Sequence, residues 1–127
     1  MSDVISQEVE FAAAPERIHK ALTDASEFGR ITGAPAEIEA REGGAFSCFG
    51  GAIVGRNVEL APQRRVVQAW RVAGWPEGVF SLVRFELEPN GLGTRLTLHH
   101  SSFPQGADGH LAAGWEANYW NAIRKLG

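Results

Sequence analysis

The sequence contains a single cysteine, Cys48, among 127 residues, so no internal disulfide can hold the chain and a reducing compartment suits it. It has no apolar run near the ~20 residues that a bilayer-spanning helix requires. Its first residues, MSDVISQEVEF, lack both the basic and the apolar region of a secretory signal. No membrane association is expected, and the expected location is cytoplasmic. Clustered basic residues are also scarce. The net charge is −3, and the concentrated positive face from which nucleic-acid binding draws its affinity is absent. Arg64 and Arg65 fall in a turn; Arg124 and Lys125 suit the last turn of a helix, where the dipole favours cations. Nucleic acid is therefore discounted as a partner. There is no nucleophile elbow, phosphate-cradling loop or paired-carboxylate signature, and the glycines of GGAFSCFGG lie between strands, not before a helix. No catalytic residue, metal or cofactor is assigned. Cys48 reads as a small core hydrophobe. A metal held by His99, His100 and His110 would need all three to converge, yet adjacent strand residues face opposite ways.

The residues that are present predict an α+β fold. A chain of this length, 44% hydrophobic and 21% charged, is the size of one domain, 1–127, that buries roughly two-thirds of its unfolded surface. Residues 4–11 alternate as a strand. Pro15 then opens a short helix with Ile18, Ala21 and Leu22 on one stripe, and Thr23 or Asp24 caps a second that carries Phe28 and Ile31. From 36 to 100 the pattern is short alternating segments: 36–41, 45–49, 52–60, 65–72, 79–88 and 94–100. Their separators (EGG, GG, APQ, GWPEG, PNGLG) are too short for a crossover helix, so an antiparallel meander is expected. Residues 108–126 place Leu111, Trp115, Tyr119, Ala122 and Leu126 at spacings of three and four, a long amphipathic helix. The predicted architecture is a curved antiparallel sheet of six to seven strands wrapped around that helix.

Alternation assigns an inward set, strand by strand: Phe46 and Cys48; Val54, Val58 and Leu60; Val66, Trp70 and Val72; Val83, Phe85 and Leu87; Leu96, Leu98 and His100. The helix adds Leu111, Trp115 and Tyr119. A one-residue bulge, for which EGG and FGG are the expected sites, reverses a strand's assignment. Arg56 shares the parity of Val54 and Val58, so it either meets an anionic ligand or snorkels to water. His100 has two readings. It is a buried histidine bonded to Ser101, Ser102 or a backbone carbonyl, or it is a hydrogen-bonding or acid-base group at a cavity mouth with a pKa near 6.5. An empty apolar void costs about 24 cal/mol per Å³, so a dry space of about 300 Å³ would forfeit around 7 kcal/mol. Either rings fill the interior, or water and a ligand do. Trp75 is expected in a hairpin loop, where with Pro76 it folds over the cavity mouth or touches a partner.

The stretches LTDASEF, REGGAFSCFGG, GRNVELAPQRRVVQAWR, WPEGVFS, GTRLTLHHSSFP and GWEANYW resemble, in that order, the activator-of-heat-shock-protein-90-ATPase homologue family, within the START-related, birch-pollen-allergen-like superfamily. The resemblance implies a helix-grip fold that often encloses a cavity for apolar molecules, and it provides no counterpart of the eukaryotic protein's separate N-terminal domain. The leading expectation is binding of a small apolar or amphipathic molecule in a pocket shaped by Trp70, Phe85, Leu98, Trp115 and Tyr119, with His100 and Arg56 at its polar end. One rival is a co-chaperone-like module that touches a heat-shock protein 90 homologue through its outer surface and Trp75. Another is a cyclase- or hydratase-like enzyme with His100 as acid-base. Monomer and homodimer both remain open.

Overall fold

Alternation becomes pairing along most of the chain. The computed structural model describes residues 4–126 and contains seven strands: β1 (Val4–Phe11), β2 (Ala36–Ile38), β3 (Ala45–Cys48), β4 (Ile53–Ala61), β5 (Arg65–Val72), β6 (Ser81–Asn90) and β7 (Gly93–Ser101). They form one antiparallel sheet in the order β1-β7-β6-β5-β4-β3-β2. Strands β2 to β7 are the meander, and β1 adds beside β7, setting Ile5 against His100 and Phe11 against Thr94. Between β1 and β2 lie α1 (Pro15–Thr23) and α2 (Ala25–Thr32). Pro15 stands where a missing N–H is harmless. Asp24 ends α1 and caps α2 by accepting from the Glu27 N–H at 3.0 Å. Gly33, at φ 72°, closes α2 in the left-handed conformation.

Residues 108–126 form the C-terminal helix α3, which is not uniform. Asp108–Gly114 is α-helical, Trp115–Trp120 is a π-turn, Asn121–Ile123 returns to α, and Arg124–Leu126 tightens to 3-10. The wider turn brings residues five apart onto one face. Trp115 and Trp120 are both buried, with ring centroids 5.6 Å apart and planes at 21°. The three-and-four spacing read from the sequence finds Trp115 and Tyr119 and misses Trp120. From edge strand β1, the Gln7 side chain donates to the Ala112 carbonyl at 3.2 Å and accepts from the Trp120 indole N–H at 2.7 Å. Lys125 donates to the Ile31 carbonyl at 3.0 Å, tying α3 to α2. Arg124 pairs with Glu116.

Strand β4 corrects one assignment. Asn57 is fully buried while Val58 is 52% exposed, and Val54 and Arg56 share Val58's outward face. The inward residues are Ile53, Gly55 and Asn57, and a bulge between Asn57 and Glu59 turns Leu60 back toward the core. Distant partners decide the parity. The Asn57 amide donates to the Glu39 carbonyl at 3.0 Å and accepts from Gln68 at 3.2 Å, so burying it leaves little unsatisfied polarity. Gly55 fits the same pattern, because a Cβ there would stand 1.9 Å from the Ala69 carbonyl oxygen and 2.8 Å from the Phe46 ring. Strand β2 is also shorter than expected, ending at Ile38, and Phe49 leaves β3 for a 3-10 turn.

Candidate functional site

The concave face of the sheet and α3 enclose a cluster of rings. Trp70 from β5 lies against Trp115 at 5.4 Å and edge-on to His100 at 4.9 Å, and Phe85 from β6 meets Trp115 edge-on at 5.6 Å. Tyr119 touches Phe28 of α2, Phe49 and Trp115. Offset and edge-to-face contacts of this kind each contribute about 0.5–1.5 kcal/mol beyond burial.

His100, with no exposed surface, sits inside the cluster as the middle of a directed hydrogen-bond chain. The Trp115 indole can only donate, so its 3.1 Å contact makes His100 Nδ1 an acceptor. The proton is then on Nε2, which donates to Ser81 Oγ at 2.7 Å. Ser81 in turn donates to the Trp70 carbonyl at 2.9 Å. Burial lowers the His100 pKa from 6.5 to about 4, so the ring is neutral at neutral pH. Burial also raises the Cys48 thiol to about 12, and it pushes the Tyr119 hydroxyl above its ordinary range. None of the three is ionised near pH 7, and both nitrogens of His100 already bond within the protein.

At one end of the ring cluster is a pocket of about 160 Å³, bounded by β4, β5 and α3. Of the residues expected to shape a pocket, Trp70, Trp115 and Tyr119 line it. Phe85, Leu98 and His100 lie deeper in the core and do not reach it. Arg56 is on the opposite face of the sheet, where it donates to the Gly43 carbonyl at 3.0 Å, so the strand parity that placed it at a polar end is overturned. Val72 and Leu111, which the sequence sets inward without naming them for the pocket, are walls as well; Ile53, Gly114 and Asn118, together with His110, also line it and are not assigned to the interior by the sequence at all. Trp75 is half-buried and edge-on to Trp70 at 5.9 Å. Its loop is held by Arg71, which donates to the carbonyls of Trp75 at 2.6 Å, Pro76 at 3.1 Å and Val79 at 3.2 Å. Among the described residues, no group of three or more His, Cys, Asp or Glu side chains is arranged to hold a metal, and no helix is long and apolar enough to cross a membrane.

Residues 12–127 match the model of the family described as Activator of Hsp90 ATPase homolog 1-like protein. The chain belongs to this family. It is 28% identical over 115 residues to the human activator of 90 kDa heat shock protein ATPase homolog 1, a match covering 91% of this chain and 34% of the human protein. It thus spans about a third of the curated relatives it matches. A solved HSP90 activator from Plasmodium falciparum is 30% identical, with a TM-score of 0.87 over 99% of this chain and 95% of that one. The Aha1 dimer from Colwellia psychrerythraea shares the fold, with a TM-score of 0.81 at 21% identity over 98% of this chain and 96% of that one. The seven-stranded antiparallel sheet around α3 is the helix grip that the resemblance implied.

Proposed function

We propose that this chain is a single helix-grip domain that binds a chaperone of the heat-shock protein 90 class and stimulates its ATP hydrolysis. The observation that carries this reading is the match, nearly end to end in both chains, to a solved protein described as an HSP90 activator. The interior agrees with it, because rings fill most of the grip and His100 is sealed by protein partners. A packed interior leaves the outer surface to do the work. Titrating the purified chain into a purified heat-shock protein 90 should at least double the ATP turnover at saturation. Unchanged turnover at saturation would overturn the reading.

A second reading, binding of a small apolar or amphipathic molecule, is supported by the pocket of about 160 Å³ beside Trp70, Trp115 and Tyr119. That volume resembles the ~150 Å³ apolar cavities that admit benzene, so only a molecule near that size fits without rearrangement. At about one hundred times its Kd, such a ligand would add roughly 2.7 kcal/mol of stability. A screen of small aromatic compounds should then raise the melting temperature by about 10 °C. Flat melts, together with native mass spectra showing only the bare chain, would remove this reading.

A further inference from the structure

The outer face of the sheet bears apolar surface that no other described element covers. Ala69 of β5 is paired with Arg56 on one side and Leu82 on the other. With Val54, Ala45 and Phe80, it lines a shallow groove across β3, β4 and β5. Phe80 and Leu82 are each 46% exposed. Exposed apolar side chains grouped in this way mark interaction surfaces more often than single scattered ones do.

The charge around the groove is positive. Arg56 lines it, and the Arg71 guanidinium lies 5.7 Å from the centre of the Phe80 ring. Among the described residues neither arginine forms an ion pair. Glu39, the carboxylate that feels the charge of Arg56, is already engaged with Arg41 and the Ala45 N–H. The surface is also firmly set, because the three carbonyl bonds from Arg71 fix the loop leading into Phe80.

We infer that this groove docks a segment of the chaperone that carries apolar side chains flanked by carboxylates. The inference rests on the chaperone reading above and adds the face and the chemistry of the contact. A second copy of the chain is a poorer occupant, since a two-fold contact through the groove would set Arg56 and Arg71 against their own copies. A carboxylate-bearing segment meets both guanidiniums favourably.

The test is binding of purified heat-shock protein 90, by titration calorimetry, to the unaltered chain, to Arg56→Glu, to Arg56→Glu with Leu82→Glu, and to Arg17→Glu, a charge-matched control on α1. The unaltered chain should bind, with Kd rising as salt is raised from low to high. Arg56→Glu should weaken binding at least tenfold and the double variant further, while Arg17→Glu stays within twofold. Arg56→Gln and Leu82→Ser, checked by thermal melts, serve if a charge reversal disturbs folding. Failure of the unaltered chain to bind would overturn the chaperone reading and the docking face together. Equal binding by the unaltered chain and the groove variants would overturn the docking face alone. A concentration-dependent dimer in sedimentation, abolished by the groove variants, would also overturn it by assigning the face to a second copy.

Discussion

His100→Ala is expected to lower the melting temperature by about 12–20 °C, because the substitution empties a fully buried site and leaves one buried donor without its acceptor and one buried acceptor without its donor. The Trp115 indole loses the Nδ1 that receives its proton, and Ser81 loses the Nε2–H that donates to it. Truncation of a large buried side chain costs about 2–5 kcal/mol, and each orphaned buried polar group adds about 1–3 kcal/mol less whatever relaxation or water recovers. A net loss of about 3–5 kcal/mol gives that shift, at roughly 4 °C per kcal/mol for a chain of this size. A melting temperature within 3 °C of the unaltered chain, joined to loss of some measured turnover, would instead make His100 an acid-base group. The pH dependence follows from the same burial. The folded-state pKa of about 4 lies below the ordinary value of 6.5, so only the unfolded chain takes up this proton between those values. The stability associated with a neutral His100 is complete above pH 6.5 and declines as the pH falls toward 4, by up to about 3 kcal/mol. Denaturant melts at pH 7 and pH 4.5 should show this decline. The His100 ring signals, followed by NMR, should stay those of a neutral imidazole across the same interval; titration near pH 6.5 would contradict the sealed site.

Gly55→Val should be at least as damaging. Its Cβ would stand 1.9 Å from the Ala69 carbonyl oxygen, part of the neighbouring strand's backbone, and 2.8 Å from Phe46. No rotamer relieves a backbone clash, so β4 and β5 must separate where Gly55 pairs with Trp70. Overpacking typically costs about 1–3 kcal/mol. Here broken sheet pairing adds to it, and the expected result is a melting temperature lower by 15 °C or more, or insoluble protein. A soluble variant melting within 3 °C of the unaltered chain would show that the strands tolerate a side chain at this position.

Most of the architecture was legible because it rests on local signals. Period-two alternation and short Gly- and Pro-bearing separators marked the strands, and Pro15, Asp24 and Gly33 bounded the two short helices. What escaped depends on partners far along the chain. Val54 and Val58 flank a polar Asn57, and local hydrophobicity places the valines inside. The structure buries Asn57 because the Glu39 carbonyl and Gln68 satisfy it from 18 and 11 residues away. Arg56 went outward with the valines for the same reason. The inward parity of His100 was readable, but its partners were not. Ser81 and Trp115 come from another strand and from the helix, whereas the sequence suggested the adjacent serines. For the π-turn, the available signal was two large aromatics side by side, Tyr119 and Trp120, which a narrow α-helical stripe does not bury together.

That wide turn leaves the two ends of the terminal rod out of phase by about one position. Winding the same residues as an ordinary α-helix, with none removed, would rotate everything beyond the turn by roughly a quarter-turn or more. Ile123 would swing off the core, and Lys125 would lose its reach to the Ile31 carbonyl. The local irregularity therefore fixes the angle at which the end of the chain fastens onto the helices near its beginning.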